Sequence, residues 1–185
     1  MKKTTKTLSM LLILSLLLVA CNNQLTIQEY YVQKQESDNF LALDIPASIL
    51  KVQDSASPET KETMATIKKL NVLAFKINDT NEEEYKSEYA QVKEILKGKK
   101  YNELMRMKHN NINIVINYQG EEDAINEFVL FAADNSKGFA LARVLGTKMN
   151  PEKIIKMAQD FNNIDKEGAG DAMAQLTDLF GDIDI

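Results

Sequence analysis

From Tyr101 to Leu145 apolar residues recur at alternate positions in four successive runs, and no other feature restricts the fold as tightly. Side chains of an extended strand point to opposite faces in turn, so a two-residue period marks a strand with one face inward. Tyr101–Lys108 turns Met105 and Met107 inward and Arg106 and Lys108 outward. Ile112–Tyr118 puts Ile112, Ile114, Ile116 and Tyr118 on one face, with Asn113, Val115 and Asn117 on the other. Glu127–Ala133 and Phe139–Leu145 are two further strands, joined by the turn formers Asp134-Asn135-Ser136-Lys137-Gly138. Connections this short require antiparallel neighbours, so the four strands predict a meander with one wet face.

The rest of the chain supplies helices to cover that sheet. Phe40–Leu43 reads as a strand stopped by Asp44-Ile45-Pro46, and Pro46 then opens a short helix from Ala47 to Val52. Ser57-Pro58-Glu59 combines a hydroxyl cap, a proline at the first helical position and an acid near the positive helix end. It starts a helix to Lys69 with Met64 and Ile67 inward, followed by a strand over Asn71–Ile77. Thr80 and Glu83 fit a capping box for a helix carrying Tyr85, Tyr89, Val92 and Leu96 on one stripe and ending at Gly98. Asn150-Pro151-Glu152 repeats the cap, proline and acid, and its helix buries Ile154, Ile155, Ala158 and Phe161. The order β-α-β-α-β-β-β-β-α predicts an α+β domain over 40–163, with helices packed on one face of a mostly antiparallel sheet.

Both ends of the chain lie outside that pattern. Lys2, Lys3 and Lys6 precede Leu8–Val19, an uncharged apolar stretch of twelve residues. As a helix it rises only about 18 Å, short of a hydrocarbon layer of roughly 30 Å, so residues 1–20 read as a signal peptide. Cys21 is the one cysteine and follows Leu18-Val19-Ala20, which resembles the lipobox of bacterial lipoproteins. That resemblance implies cleavage before Cys21, diacylglycerol on its thiol and an acyl group on its freed amine. Each buried methylene contributes about 0.8 kcal/mol of membrane affinity, so several chains anchor a protein firmly. Residues 21–39 then read as a tether and docking segment, with Tyr30-Tyr31-Val32 docking as a short helix or strand. At the other end 164–185 is an acidic amphipathic tail, in which Gly168 and Gly170 precede a stripe of Ala172, Leu176, Leu179 and Phe180.

The remaining residues narrow the chemistry. With one cysteine there is no disulfide framework, and the domain rests on its core. A net charge of −5 argues against nucleic acid and against attraction to anionic headgroups. His109 is the one histidine and sits in a turn, so a zinc site would lack its usual N and S donors; it remains open to acting singly as a proton carrier. Glu121-Glu122-Asp123 is the densest acidic turn of the sheet, either a solvated loop or a pair of carboxylates for acid–base work or calcium. Asp134–Gly138 lacks the ligand spacing of a calcium loop, and the seven glycines form no phosphate cradle or nucleophile elbow. No catalytic residue, metal site or cofactor is assigned.

Gln28-Glu29-Tyr30-Tyr31-Val32, then Phe40 and Asp44-Ile45-Pro46-Ala47-Ser48, followed by the helix, strand and meander above, resemble the domain of unknown function 4252 family. The resemblance covers about residues 28–161. It implies a short lipoprotein or secreted protein of Bacteroidota and carries over no site residue beyond Cys21. The expectation is therefore a lipid-anchored cell-envelope protein, non-catalytic, whose domain binds another envelope protein through Arg106, Lys108, Asn113, Val115 and Asn117. Two other readings are an envelope-stress component acting on a membrane-bound regulator and a carboxylate-based hydrolase. Asn22-Asn23-Gln24 lacks both the aspartate that retains some lipoproteins in the inner membrane and an acidic export signal, which favours the periplasmic side of the outer membrane.

Overall fold

The computed structural model describes residues 24–159, apart from 53, 55 and 110, together with 164 and 165. The expected signal peptide, Cys21, Phe161 and the residues beyond Asp165 lie outside these residues. The chain order is α1 (Ile27–Lys34), β1 (Phe40–Pro46), β2 (Lys51–Val52), α2 (Pro58–Thr66), β3 (Ile67–Lys76) and α3 (Glu82–Leu96). It continues with β4 (Asn102–His109), β5 (Ile112–Glu121), β6 (Ala124–Asp134), β7 (Gly138–Met149), α4 (Pro151–Gln159) and β8 (Ile164–Asp165). Six strands form one antiparallel sheet in the order β1-β3-β7-β6-β5-β4, and β2 pairs with β8 separately. The expected α+β class and β4–β7 meander are thus what the chain adopts.

The sheet order determines what α3 must do. β3 lies second from one edge and β4 forms the other edge, so α3 carries the chain across the intervening strands. Its apolar stripe packs with α1 in a cluster of Ile27, Tyr30, Tyr85, Val92 and Leu96 against Leu73, Phe75, Val129, Phe131, Phe139 and Leu141. A second cluster joins Met64 of α2 and Met157 of α4 to Ile67, Tyr118, Ile125, Phe128 and Met149. Phe128 and Val129 are sequence neighbours in different clusters, so the two groups occupy opposite faces. The helices therefore sort into two pairs, and the inner strands β3 and β6 are buried on both sides. A single wet face does not describe them.

α1 is a short docked helix at Tyr30-Tyr31-Val32, and it forms part of the core. Ile27 and Tyr30 are fully buried, and Thr26 and Glu29 form a reciprocal capping box at its start. Four boundaries differ from the sequence expectation. Ala47–Leu50 is a turn rather than a helix: Ile49 and Leu50 donate to carbonyls three residues back, and six residues hold no helix unaided. α2 stops at Thr66 rather than Lys69, because Ile67 is extended and pairs with Gly146 of β7. β1 runs through Asp44 and Ile45 to Pro46, which an edge strand tolerates since its outer N–H needs no partner. Thr80 does not cap α3; its N–H and hydroxyl both donate to Asn78 Oδ1, and Asn81 stands at the cap position.

Buried tyrosines make the fold sensitive to alkali. Burial pushes Tyr85 and Tyr101 up to about 12, the latter also through the charge of Glu127. Tyr30 rises further, through burial and then its bond to Glu88. A raised folded-state pKa means stability is complete below the ordinary tyrosine value near 10 and is lost as pH rises through about 12. Melting temperature should therefore fall across that window, together with a late rise in phenolate absorbance. A melt unchanged up to pH 12 would show that these hydroxyls ionise without cost.

Candidate functional site

α3 and the far end of the sheet enclose a groove of about 450 Å³, within the range of small-ligand sites. One wall is a helical stripe of Tyr89, Lys93 and Leu96, spaced three or four residues apart, continued at the helix end by Lys97, four residues after Lys93. The other wall is the edge strand β4, through Glu103, Arg106, Met107 and Lys108. The floor comes from β5 and β6, through Asn113, Val115, Asn117, Phe131 and Ala133. All five residues expected to form a binding face line this groove.

Their setting differs from the expected one in a decisive way. The expected wet face of the meander does not hold for them, because Val115 and Asn117 lie beside Phe131 on the face that α3 covers. Asn117 is only 2% exposed, and its Nδ2 has no hydrogen-bond partner. A buried donor left unpaired costs about 1–3 kcal/mol, so this amide is unlike a solvated surface asparagine. Met107 is not inward but 41% exposed at the groove wall. A bulge between Glu103 and Met105 breaks the alternation of β4, and Leu104 packs against the second cluster instead.

The electrostatics of the groove run against those of the whole chain. Lys93, Lys97, Arg106 and Lys108 face one carboxylate, Glu103, in a protein of net charge −5. Arg106 grips Glu103 through Nε at 3.0 Å and through Nη2, and this pair holds the Glu103 carboxyl below its ordinary value. Lys93 lies over the Tyr89 ring, 5.1 Å from its centre. Among the described residues no ion pair joins Lys93, Lys97 or Lys108 to an acid. Such a groove offers cations above a floor whose apolar part is Val115, Phe131 and Ala133. Among the described residues Glu103 is the one carboxylate lining it, and Arg106 engages it.

The other sequence candidates do not meet there. His109 is exposed at the end of β4. Glu121, Glu122 and Asp123 are exposed at the β5–β6 hairpin. Asp134 is spent on its own turn, accepting from Ser136 N–H at 2.7 Å, Ser136 Oγ at 2.6 Å and Lys137 N–H at 3.2 Å. The Ser136 hydroxyl bond is the main reason its carboxyl titrates low. Among the described residues no group of three or more His, Cys, Asp or Glu side chains is placed to hold a metal.

Buried charges are what the sequence reading missed. Glu127 and Arg143, 6% and 8% exposed, meet at 2.9 Å, and Arg143 reaches Asn71 at 3.5 Å. Glu88, 7% exposed, accepts from Tyr30 at 2.8 Å and from Lys34, tying α1 to α3. A signal for the first pair was present, because Arg143 shares parity with Phe139 and Leu141, and Glu127 with Val129 and Phe131. These groups hold elements together and do not line the groove.

Six antiparallel strands and two helix pairs define the class as an α+β domain, with a cationic groove between its longest helix and the edge strand β4. The chain belongs to the domain of unknown function family DUF4252, whose family model matches residues 30–157. That span begins inside α1 and ends inside α4. No curated protein and no solved structure matches the chain.

Proposed function

We propose that this protein is a lipid-anchored component of the cell envelope whose domain is a non-catalytic binding module, with the groove along α3 as its site. The observation that carries the binding role is the gathering of Lys93, Lys97, Arg106 and Lys108 over the apolar residues Leu96, Val115 and Phe131. Anchoring rests on Leu18-Val19-Ala20-Cys21 behind its short apolar stretch, and Asn22-Asn23-Gln24 favours the periplasmic side of the outer membrane. The partner is another envelope protein, within reach of a domain tethered close to the membrane.

Two measurements test the two halves. Cys21→Ala should abolish incorporation of labelled fatty acid, and continued labelling would end the anchoring proposal. A photo-crosslinking residue at Val115 should give discrete adducts in intact cells, whereas one at the exposed Glu62 of α2 should not. Equal or absent crosslinking at the two positions would show that the groove is not the binding site.

A further inference from the structure

Resting on the binding role just proposed, we infer that the groove takes an extended acidic peptide segment of its partner, its carboxylates between the cationic walls and an apolar side chain on the floor. The spacing of charge carries the choice. Lys93 and Lys97 are one helical turn apart, a rise of about 6 Å. Arg106 and Lys108 are two strand residues apart, about 6.6 Å. Acids at alternate positions of an extended peptide recur at the same interval of about 6.6 Å, so two successive carboxylates can meet cations in register. A single anionic headgroup, as on a fatty acid, would engage one end of the groove and leave the other cations idle.

Three further observations agree. Lys93, Lys97 and Lys108 have no acidic partner among the described residues, so no internal ion pair must be broken on docking. Asn117 Nδ2 is a buried donor without an acceptor in the floor, and peptide carbonyls and carboxylates are acceptors. The overall charge of −5 repels a long polyanion, while cations within a screening length of about 8 Å still attract a short acidic segment.

The test uses the full chain in nanodiscs of zwitterionic lipid. The probe is a fluorescent Asp-Leu-Asp-Phe-Asp-Leu hexapeptide; a version with Lys for each Asp is the control, and dodecanoate is the competitor. The acidic peptide should bind about tenfold or more tightly than the basic one and weaken with added salt. Lys97→Glu combined with Lys108→Glu should remove that preference; both positions are exposed, so the melting curve should hold. Equal binding of the two peptides, or dodecanoate displacing the acidic peptide at concentrations below the peptide's own, would overturn the inference. If adducts at Val115 persist in cells while the peptides are not distinguished, the groove still binds and only the acidic partner is wrong. If neither is seen, both readings fail.

Discussion

Replacing Arg143 with methionine while Glu127 remains is expected to destabilise the domain by about 3–5 kcal/mol. The pair sits on neighbouring strands, Glu127 on β6 and Arg143 on β7, and both side chains are at least nine-tenths buried. Removing the guanidinium leaves the carboxylate without its cation in a site largely shielded from water, and stranding a buried charge is far costlier than losing a surface pair. The pair itself is not strongly stabilising, since both ions were desolvated to form it. The double variant Glu127→Leu, Arg143→Met should therefore recover most of the loss. Chemical denaturation of both variants reads this directly as a large coupling between the two sites. Additive losses would show that the two side chains do not act as a unit, and that the burial of Glu127 is not what makes Arg143 necessary.

The second large effect is expected at the β6–β7 turn. Gly138 has φ +130°, a region that side chains rarely adopt, and a Cβ built there would lie 1.9 Å from the Phe75 carbonyl oxygen. Phe75 belongs to β3, and Ile77 N–H donates to the Lys137 carbonyl at 2.9 Å, so the turn is clasped to the neighbouring strand. The obstruction is backbone, not the end of a flexible side chain. Gly138→Ala is expected to cost about 3–5 kcal/mol, combining backbone strain with overpacking. Gly98→Ala is a suitable comparison, because there the crowding comes from the Gln24 side chain, which can swing away. Similar losses for the two variants would show that the β7–β3 contact yields easily.

Part of the fold was legible because local chemistry is enough to specify it. Alternation identified the four strands of the meander. Ser57-Pro58-Glu59 and Asn150-Pro151-Glu152 marked the starts of α2 and α4, since a cap, a fixed φ and an acid act within one turn. The turn from Asp134 to Gly138 was legible for the same reason. Local rules failed where two short-range options competed. At the start of α3 a capping threonine lost to a neighbouring asparagine that took its hydroxyl and N–H. At Thr66 a helix that could have continued met a strand partner instead.

The five face residues show the limit most clearly. Alternation correctly put Asn113, Val115 and Asn117 together on one side of β5, because a strand's period is a property of its own backbone. Which side of the sheet a helix then covers is not encoded in that period. β7 pairs with β3 rather than lying at an edge, so α3 must cross the sheet to reach β4, and it crosses over that same side. The crossing buries Asn117, brings Lys93 and Lys97 opposite Arg106 and Lys108, and turns an apparently wet face into a groove. The chain's own residues specify its strands and its turns. Only the packing of distant elements, driven by burial of apolar surface on both faces, placed the cations on facing walls of one groove.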